Sequence, residues 1–255
     1  MRDEAVVAPQ AKIGKIVTMC PFVYVEDYVV IGDDCVIFPF VSIMNGSKIG
    51  PGNKIHQGTV IGALPQDFSF RGERSEVLIG ENNIIRENVI INRATHEGCQ
   101  TVIGNSNMLM EGVHISHDTK IGDYNVFGYG TKIAGDCEIG KGVIFSSSVI
   151  ENSGTRVGDL AMLQAGTRFS KDVPPYVIAG GNPIEYGGPN NTLMETWKID
   201  EKVRRHVANA YRLLFHSKNS VFDCMLQIKE QVPDGEQVRN IIKFLGETKV
   251  GIISK

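Results

Sequence analysis

Residues 103–145, cut into sixes, run IGNSNM, LMEGVH, ISHDTK, IGDYNV, FGYGTK, IAGDCE and IGKGVI before Phe145. Every block opens on a large apolar side chain: Ile103, Leu109, Ile115, Ile121, Phe127, Ile133 and Ile139. A period of six fits neither an α-helix nor an alternating strand. It is the period of a coil of short parallel strands, a hexapeptide-repeat β-helix. Working outward, the same phase runs from Val7 through Ile13, Met19, Val25, Ile31, Ile37, Ile43, Ile49 and Ile55 to Ile61. It returns at Ile79, Ile85 and Ile91, and continues beyond Phe145 to Val157, Leu163 and Phe169.

A second slot lies four residues after each large one and holds small residues or Asn, among them Val23, Cys35, Asn53, Thr59, Val113, Thr119, Asn125, Thr131, Cys137 and Val149. Two inward slots two residues apart make a short strand, and stacked Asn side chains can hydrogen-bond in columns. Glycines recur every 18 residues in much of the chain, in the series Gly14, Gly32, Gly50, Gly62, Gly80, Gly104, Gly122, Gly140 and Gly158. The interval implies three hexads per coil, hence a triangular prism of three flat sheets. Roughly nine coils give a prism ~43 Å long at ~4.8 Å per coil. The glycines are expected where a corner needs an unusual backbone conformation.

The beat fails at 62–78 and 94–102, both polar, and insertions at solenoid corners usually serve the binding face. The large slot also fails at Glu151, which leaves open a local bulge or a ligand contact. Asp172-Val173-Pro174-Pro175-Tyr176 ends regular pairing. Helical patterns follow at 199–217, near 219–231 and near 235–246, the first placing Val203, Val207, Ala210, Tyr211 and Leu214 on one face. The expected organisation is a mainly β solenoid over 1–182 and a small C-terminal helical domain over 183–255.

With 255 residues, a net charge of −3 and 42% apolar residues, composition favours a globular protein and gives no reason to expect nucleic acid. Five cysteines without framework spacing suit a reducing compartment. No signal-like segment opens the chain and no apolar run approaches spanning length, so a cytoplasmic protein without stable membrane insertion is expected.

The candidate chemistry lies in Glu111-Gly112-Val113-His114-Ile115-Ser116-His117-Asp118. Val113 and Ile115 point inward, so His114 points out and His117 falls on the next corner. His117 followed by Asp118 suits a general base with an orienting carboxylate. Eighteen residues on, Gly135 should lie one rung above His117, its N–H free to meet an oxyanion. Such a pair suits acyl transfer to a hydroxyl. His114-x-x-His117 is also a metal-pair spacing, but needs a third ligand, and His96 sits in an irregular loop. Asn92-Arg93 is read as a solvated corner.

These features, with Gln66-Asp67 in the first loop, Ala134-Gly135, Asp172–Tyr176 and Asn209-Ala210-Tyr211 in the cap, resemble the acyl-[acyl-carrier-protein]–UDP-N-acetylglucosamine O-acyltransferase family across essentially the whole chain. The family performs the first step of lipid A (lipopolysaccharide) synthesis. The resemblance implies a left-handed coil and a homotrimer with sites between neighbouring prisms. It implies His117 as base, Asp118 as its orienter and Gly135 N–H as oxyanion donor. His114 lines the acyl-donor side and Asp67, with Gln66, meets the sugar. No metal or cofactor is implied beyond the phosphopantetheine arm of acyl carrier protein, the acyl donor.

The chain departs from the family pattern at several places. Asp136 follows Gly135 where His is frequent, Asn152-Ser153 replaces a His-Gln pair, and Ser69 replaces a Lys. Ala165-Gly166 replaces a Gly-Gly step near the acyl-chain ruler. Leu193–Trp197 stands where an Arg-Arg-Gly segment is tied to nucleotide phosphate recognition. Asn152 and Ala165 are therefore candidate substrate-pocket positions. Lys198, Lys202, Arg204, Arg205 and Arg212 suggest either a solvated helix face or a dock for acidic acyl carrier protein. Alternatives are the same chemistry on another nucleotide sugar, a metal-dependent lyase like the γ-type carbonic anhydrases, and a non-catalytic trimeric scaffold.

Overall fold

The computed structural model describes residues 4–217 and 219–255. Strands of mostly two residues follow one another every six residues, each pairing in parallel with the strand three further along. Three sheets result. The first begins with Val6–Val7 and ends with Arg168–Phe169, the second runs from Lys12–Ile13 to Arg156–Val157, and the third begins at Thr18–Met19. The coil is left-handed. Register advances by 18 residues per turn, with Val6 opposite Tyr24 and Ile115 opposite Ile133.

The inward slots fill the prism axis. Ile37, Ile43, Ile55, Ile61, Ile85, Ile91, Leu109 and Ile115 are all completely buried, and burying each such side chain is worth about 1.5–3 kcal/mol. Phe127 and Phe145 stack with ring centroids 4.9 Å apart. The first coil is the exception: Val7 and Ile13 are exposed because no coil lies beneath them. Cys35 and Cys137 are buried in the small slot.

The asparagine column is longer than the slot pattern suggested, because Asn83 and Asn107 join Asn53 and Asn125. Asn53 Oδ1 accepts from Asn83 N at 2.9 Å, Asn83 Oδ1 from Asn107 N at 2.8 Å, and Asn107 Oδ1 from Asn125 N at 2.8 Å. Each buried amide thereby satisfies the next coil's backbone.

The corner glycines have a different cause from the one expected. The left-handed backbone falls two residues later, at Ile16, Asp34, Asn82, Ser106, Tyr124 and Leu160, with φ of 54–59°. The glycines are required by closeness: a Cβ on Gly122 would stand 2.8 Å from Gly140 O. Gly62 is outside this column, with φ of +77° and packed against Ser47 and Met44.

Both breaks in the beat are insertions between the first and second sheets. Pairing skips from Val60 to Ile90 across one, and from Val77 to Thr101 across the other. The loops therefore leave the prism on one edge, that of His117. Glu151 makes no bulge. It occupies strand Ile150–Glu151, pairs in register with Ile133 and Phe169, and points into the core with 1% exposure.

Val177–Gly180 extends the third sheet, and Glu185–Pro189 adds to it antiparallel. The cap comprises α1 (Asn191–Thr196), α2 (Glu201–Phe215), α3 (Val221–Gln231) and α4 (Glu236–Gly246). The short α1 was not apparent in the sequence, and α2 is shorter than its apolar pattern because Asp200 caps it, accepting from Lys202 N at 2.8 Å. Tyr211 on α2 is fully buried and donates to Pro175 O. The chain's last residues return to the prism, where Asp172 N donates to Gly251 O and Asp172 Oδ2 accepts from Thr248.

Candidate active site

His117 lies two residues past strand His114–Ile115, at the edge between the first and second sheets. Its Nδ1 lies 2.9 Å from Asp118 Oδ2, with both side chains largely buried. Asp118 is itself fixed twice. Its Oδ2 accepts from Thr95 N at 2.9 Å, and its own N–H donates to Thr101 Oγ1 at 2.9 Å. The second insertion thus reaches back to hold the carboxylate that holds the imidazole. Since Asp118 accepts from an amide on the same oxygen, Nδ1 is the protonated nitrogen of neutral His117, leaving Nε2 as a base.

Asp67 arrives from the first insertion, its Oδ2 3.7 Å from His117 Nε2. Its other oxygen accepts from both the hydroxyl and the N–H of Ser69, at 2.6 Å each. Those bonds hold the Asp67 carboxyl below the usual carboxylate range. Ser69 is therefore the anchor of this loop carboxylate. Gln66 is exposed beside it.

Gly135 lies one coil above, against the His117 ring, and Asp136 N donates to His117 O at 3.1 Å. Among the described residues nothing accepts the Gly135 N–H. His114 stands beside Lys132 on the wall, and its Nε2 is 2.6 Å from Asn92 Oδ1. Asn92 is buried rather than solvated, with its Nδ2 spent on Leu64 O at 2.7 Å. Oδ1 is then the acceptor, so His114 carries its proton on Nε2. Burial, with Lys132 and His117 nearby, lowers the His114 pKa. Arg93 is half-buried, its guanidinium 5.5 Å from the Phe70 ring centroid, so this corner too is packed.

Asn152 is half-buried two coils above Ser116, where its carbonyl accepts from Thr155 at 2.8 Å. Its neighbour Ser153 donates to Gly135 O at 2.8 Å. Ala165 is exposed on another edge, between the third and first sheets, so one chain does not bring it to His117. Of the basic cap residues, Arg205 pairs with Glu201, and Arg204 lies 3.4 Å from Glu195. His96 is exposed, and among the described residues no three His, Cys, Asp or Glu side chains converge as a metal site.

Sequence reasoning missed Asn92, Thr95 and Thr101. Only the phase of the repeat across the two insertions carried a signal for them.

A prism built on a six-residue repeat with a polar cluster on one edge defines a hexapeptide transferase, and a model of bacterial transferase hexapeptide repeats matches residues 28–63 and 100–135. A second model, UDP-N-acetylglucosamine O-acyltransferase domain 2, matches 172–253. The chain is 33% identical over 240 residues to acyl-[acyl-carrier-protein]–UDP-N-acetylglucosamine O-acyltransferase of Chlamydia abortus, covering 94% of this chain and 86% of that one. It is 32% identical to the enzyme of the same name from Thermodesulfovibrio yellowstonii, covering 97% and 96%. The crystal structure of a UDP-N-acetylglucosamine acyltransferase from Bacteroides fragilis superposes with a TM-score of 0.97 at 43% identity, covering 99% of both chains. The chain belongs to the acyl-[acyl-carrier-protein]–UDP-N-acetylglucosamine O-acyltransferase family, and is an enzyme.

Proposed function

We propose that this enzyme moves a (3R)-3-hydroxyacyl chain from acyl carrier protein to the 3-hydroxyl of UDP-N-acetylglucosamine, with His117 as general base. The observation that carries this reading is the bracketing of one imidazole. Asp118 holds Nδ1, Gly135 lies against the ring, and Asp67 faces Nε2.

His117 Nε2 takes the proton of the sugar hydroxyl as its oxygen attacks the thioester carbonyl. The carbon–oxygen bond forms, and the carbonyl electrons become an oxyanion that meets Gly135 N–H. Collapse re-forms the carbonyl, breaks the carbon–sulfur bond, and returns the proton from His117 to the departing pantetheine thiolate. Asp118 balances the imidazolium charge between these steps. Asp67 meets the sugar, and Gln66, Asn152 and Ala165 belong to the substrate pockets. Ala165's place on another edge suits a homotrimer in which a neighbouring prism completes the cleft. The enzyme works in the cytoplasm without a metal, its only prosthetic chemistry being the donor's phosphopantetheine. Acyl carrier protein docks by charge on the basic side of α2.

The same chemistry on another nucleotide sugar is the second reading. It is favoured by Met194 and Trp197, which occupy the stretch tied to phosphate recognition in the family yet serve packing, Trp197 lying 5.8 Å edge-on to Tyr124.

The test is acyl transfer from a panel of 3-hydroxyacyl carrier proteins to UDP-N-acetylglucosamine, wild type beside His117→Ala. Transfer that falls by ~10²–10⁴ on substitution supports the reading. A folded wild type that acylates only a different UDP-sugar establishes the second one.

A further inference from the structure

The peptide bearing the proposed oxyanion donor is gripped from inside the prism, and we infer that Thr119 is a positioning residue for acyl transfer. This rests on the reading of Gly135 N–H above.

Thr119 fills a small slot and is fully buried. Its hydroxyl donates to Ala134 O at 3.0 Å, and lies 3.5 Å from His117 O. One hydroxyl has one proton, and the shorter contact takes it. The Ala134 carbonyl and the Gly135 N–H are opposite ends of one planar trans peptide, so they point in opposite directions. Drawing the oxygen inward to Thr119 turns the N–H outward, on the side where Gly135 meets the His117 ring. Among the described residues, Ala134 O accepts no other hydrogen bond and Gly135 N–H makes none. Thr119 is therefore the one hydrogen-bonded restraint on this peptide plane. An oxyanion donor is effective when its direction is set before charge develops.

Two comparisons within the chain sharpen the point. The same slot-to-corner bond recurs from Thr131 to Ser146 O at 3.2 Å, and from Cys137 Sγ to Asn152 O at 3.3 Å. The contact is thus a regular feature of the coil, and at Thr119 the peptide it holds is the one beside His117. The slot does not need a hydroxyl to fold: Val23, Val29, Val41, Val89, Val113, Val143 and Val149 occupy it elsewhere, all buried. A valine at 119 is therefore compatible with the prism.

The experiment compares wild type, Thr119→Val and Thr119→Ser for kcat, for KM of both substrates, and for thermal unfolding. Thr119→Val should lower kcat about tenfold, less than the ~10²–10³ reported for deleting an oxyanion donor outright. Both KM values should stay within about twofold, since the lost interaction acts in the transition state. Thr119→Ser keeps the hydroxyl and should restore most of kcat. A Thr119→Val enzyme with wild-type kcat overturns the inference. So does a Thr119→Ser enzyme as slow as Thr119→Val, or a loss of rate that merely follows loss of folded protein. A folded wild type that transfers no acyl group to any sugar overturns the acyl-transfer reading itself, and this inference with it.

Discussion

Gly135 presses against the ring of His117 from one coil above: a Cβ built on Gly135 would stand 2.6 Å from Nε2, and closer still to Cε1. The glycine is thus required by its neighbour's ring, since its backbone is not in the left-handed region.

Gly135→Ala should therefore fold and lose activity. Ala tolerates the backbone, and the clash is with a movable side chain, which must shift. A displacement of about 1 Å at the reacting nitrogen can cost ~10²-fold in rate. The checks are kcat/KM beside circular dichroism and melting temperature. An active Gly135→Ala enzyme with an unmoved imidazole would falsify the assignment of this corner.

Asp118→Asn tests the carboxylate's charge apart from its geometry. Residue 118 has φ of 58°, a conformation that Asn shares readily with Asp, so the corner is kept. An amide oxygen can still accept from Thr95 N and His117 Nδ1, but the charge opposite the imidazolium is gone. The expectation is a fall in kcat of ~10²-fold, within the usual range for general-base chemistry, with KM little changed. Steady-state kinetics decides it.

Asn92→Ala removes a buried amide that ties three places together: His114 Nε2, Leu64 O and, more weakly, Ala63 O. Leaving such groups without partners costs about 1–3 kcal/mol. Denaturant unfolding should show that loss. A rise in KM larger than the change in kcat is expected, because His114 and the Asp67 loop belong to binding in the proposed mechanism. Unchanged KM for both substrates would separate Asn92 from the site.

Glu151 gives a prediction about pH. Burial pushes its pKa well above the ordinary carboxylate value, and one of its oxygens lies 3.0 Å from Thr155 Oγ1, whose own proton goes to Asn152 O at 2.8 Å. Its other oxygen is buried without a partner among the described residues. Below pH ~4.3 the carboxyl is protonated folded and unfolded alike, and costs nothing through titration. As pH rises past that value the unfolded chain ionises while the folded one holds its proton, so stability falls. Glu151→Gln cannot titrate. It should melt above wild type at pH 7 by about 2–4 °C, roughly what 1 kcal/mol is worth in a chain of this size. The gap should close near pH 4. Parallel melting curves at pH 4 and 7 would instead mean that Glu151 keeps its ordinary titration inside the fold.

Much of the prism was legible from the chain because each coil repeats one local solution. An apolar residue every six positions and a small one four later define short strands whichever coil they belong to. The His117, Asp118 and Gly135 corner followed from that phase and the 18-residue turn. The glycine column was located correctly apart from Gly62, but its cause was misread. Close approach between coils is a property of stacked chains, and no single corner reveals it. Asn92 was missed for a related reason. Within its own hexad it looks like a polar corner residue, and its burial comes from the loop folded over it.

The one-dimensional pattern by itself therefore determined the solenoid, its three faces and the edge on which His117 stands, since hexad period and pleat leave little other choice. Tertiary structure alone decided what meets His117 there. The two insertions carry no period, so nothing in their order of residues measures how far each loop reaches. Only the folded loops bring Asp67 to Nε2, Thr95 to Asp118 and the Leu64 carbonyl to Asn92. Likewise, the grip of Thr119 on the Ala134 carbonyl exists only once one coil lies upon the next.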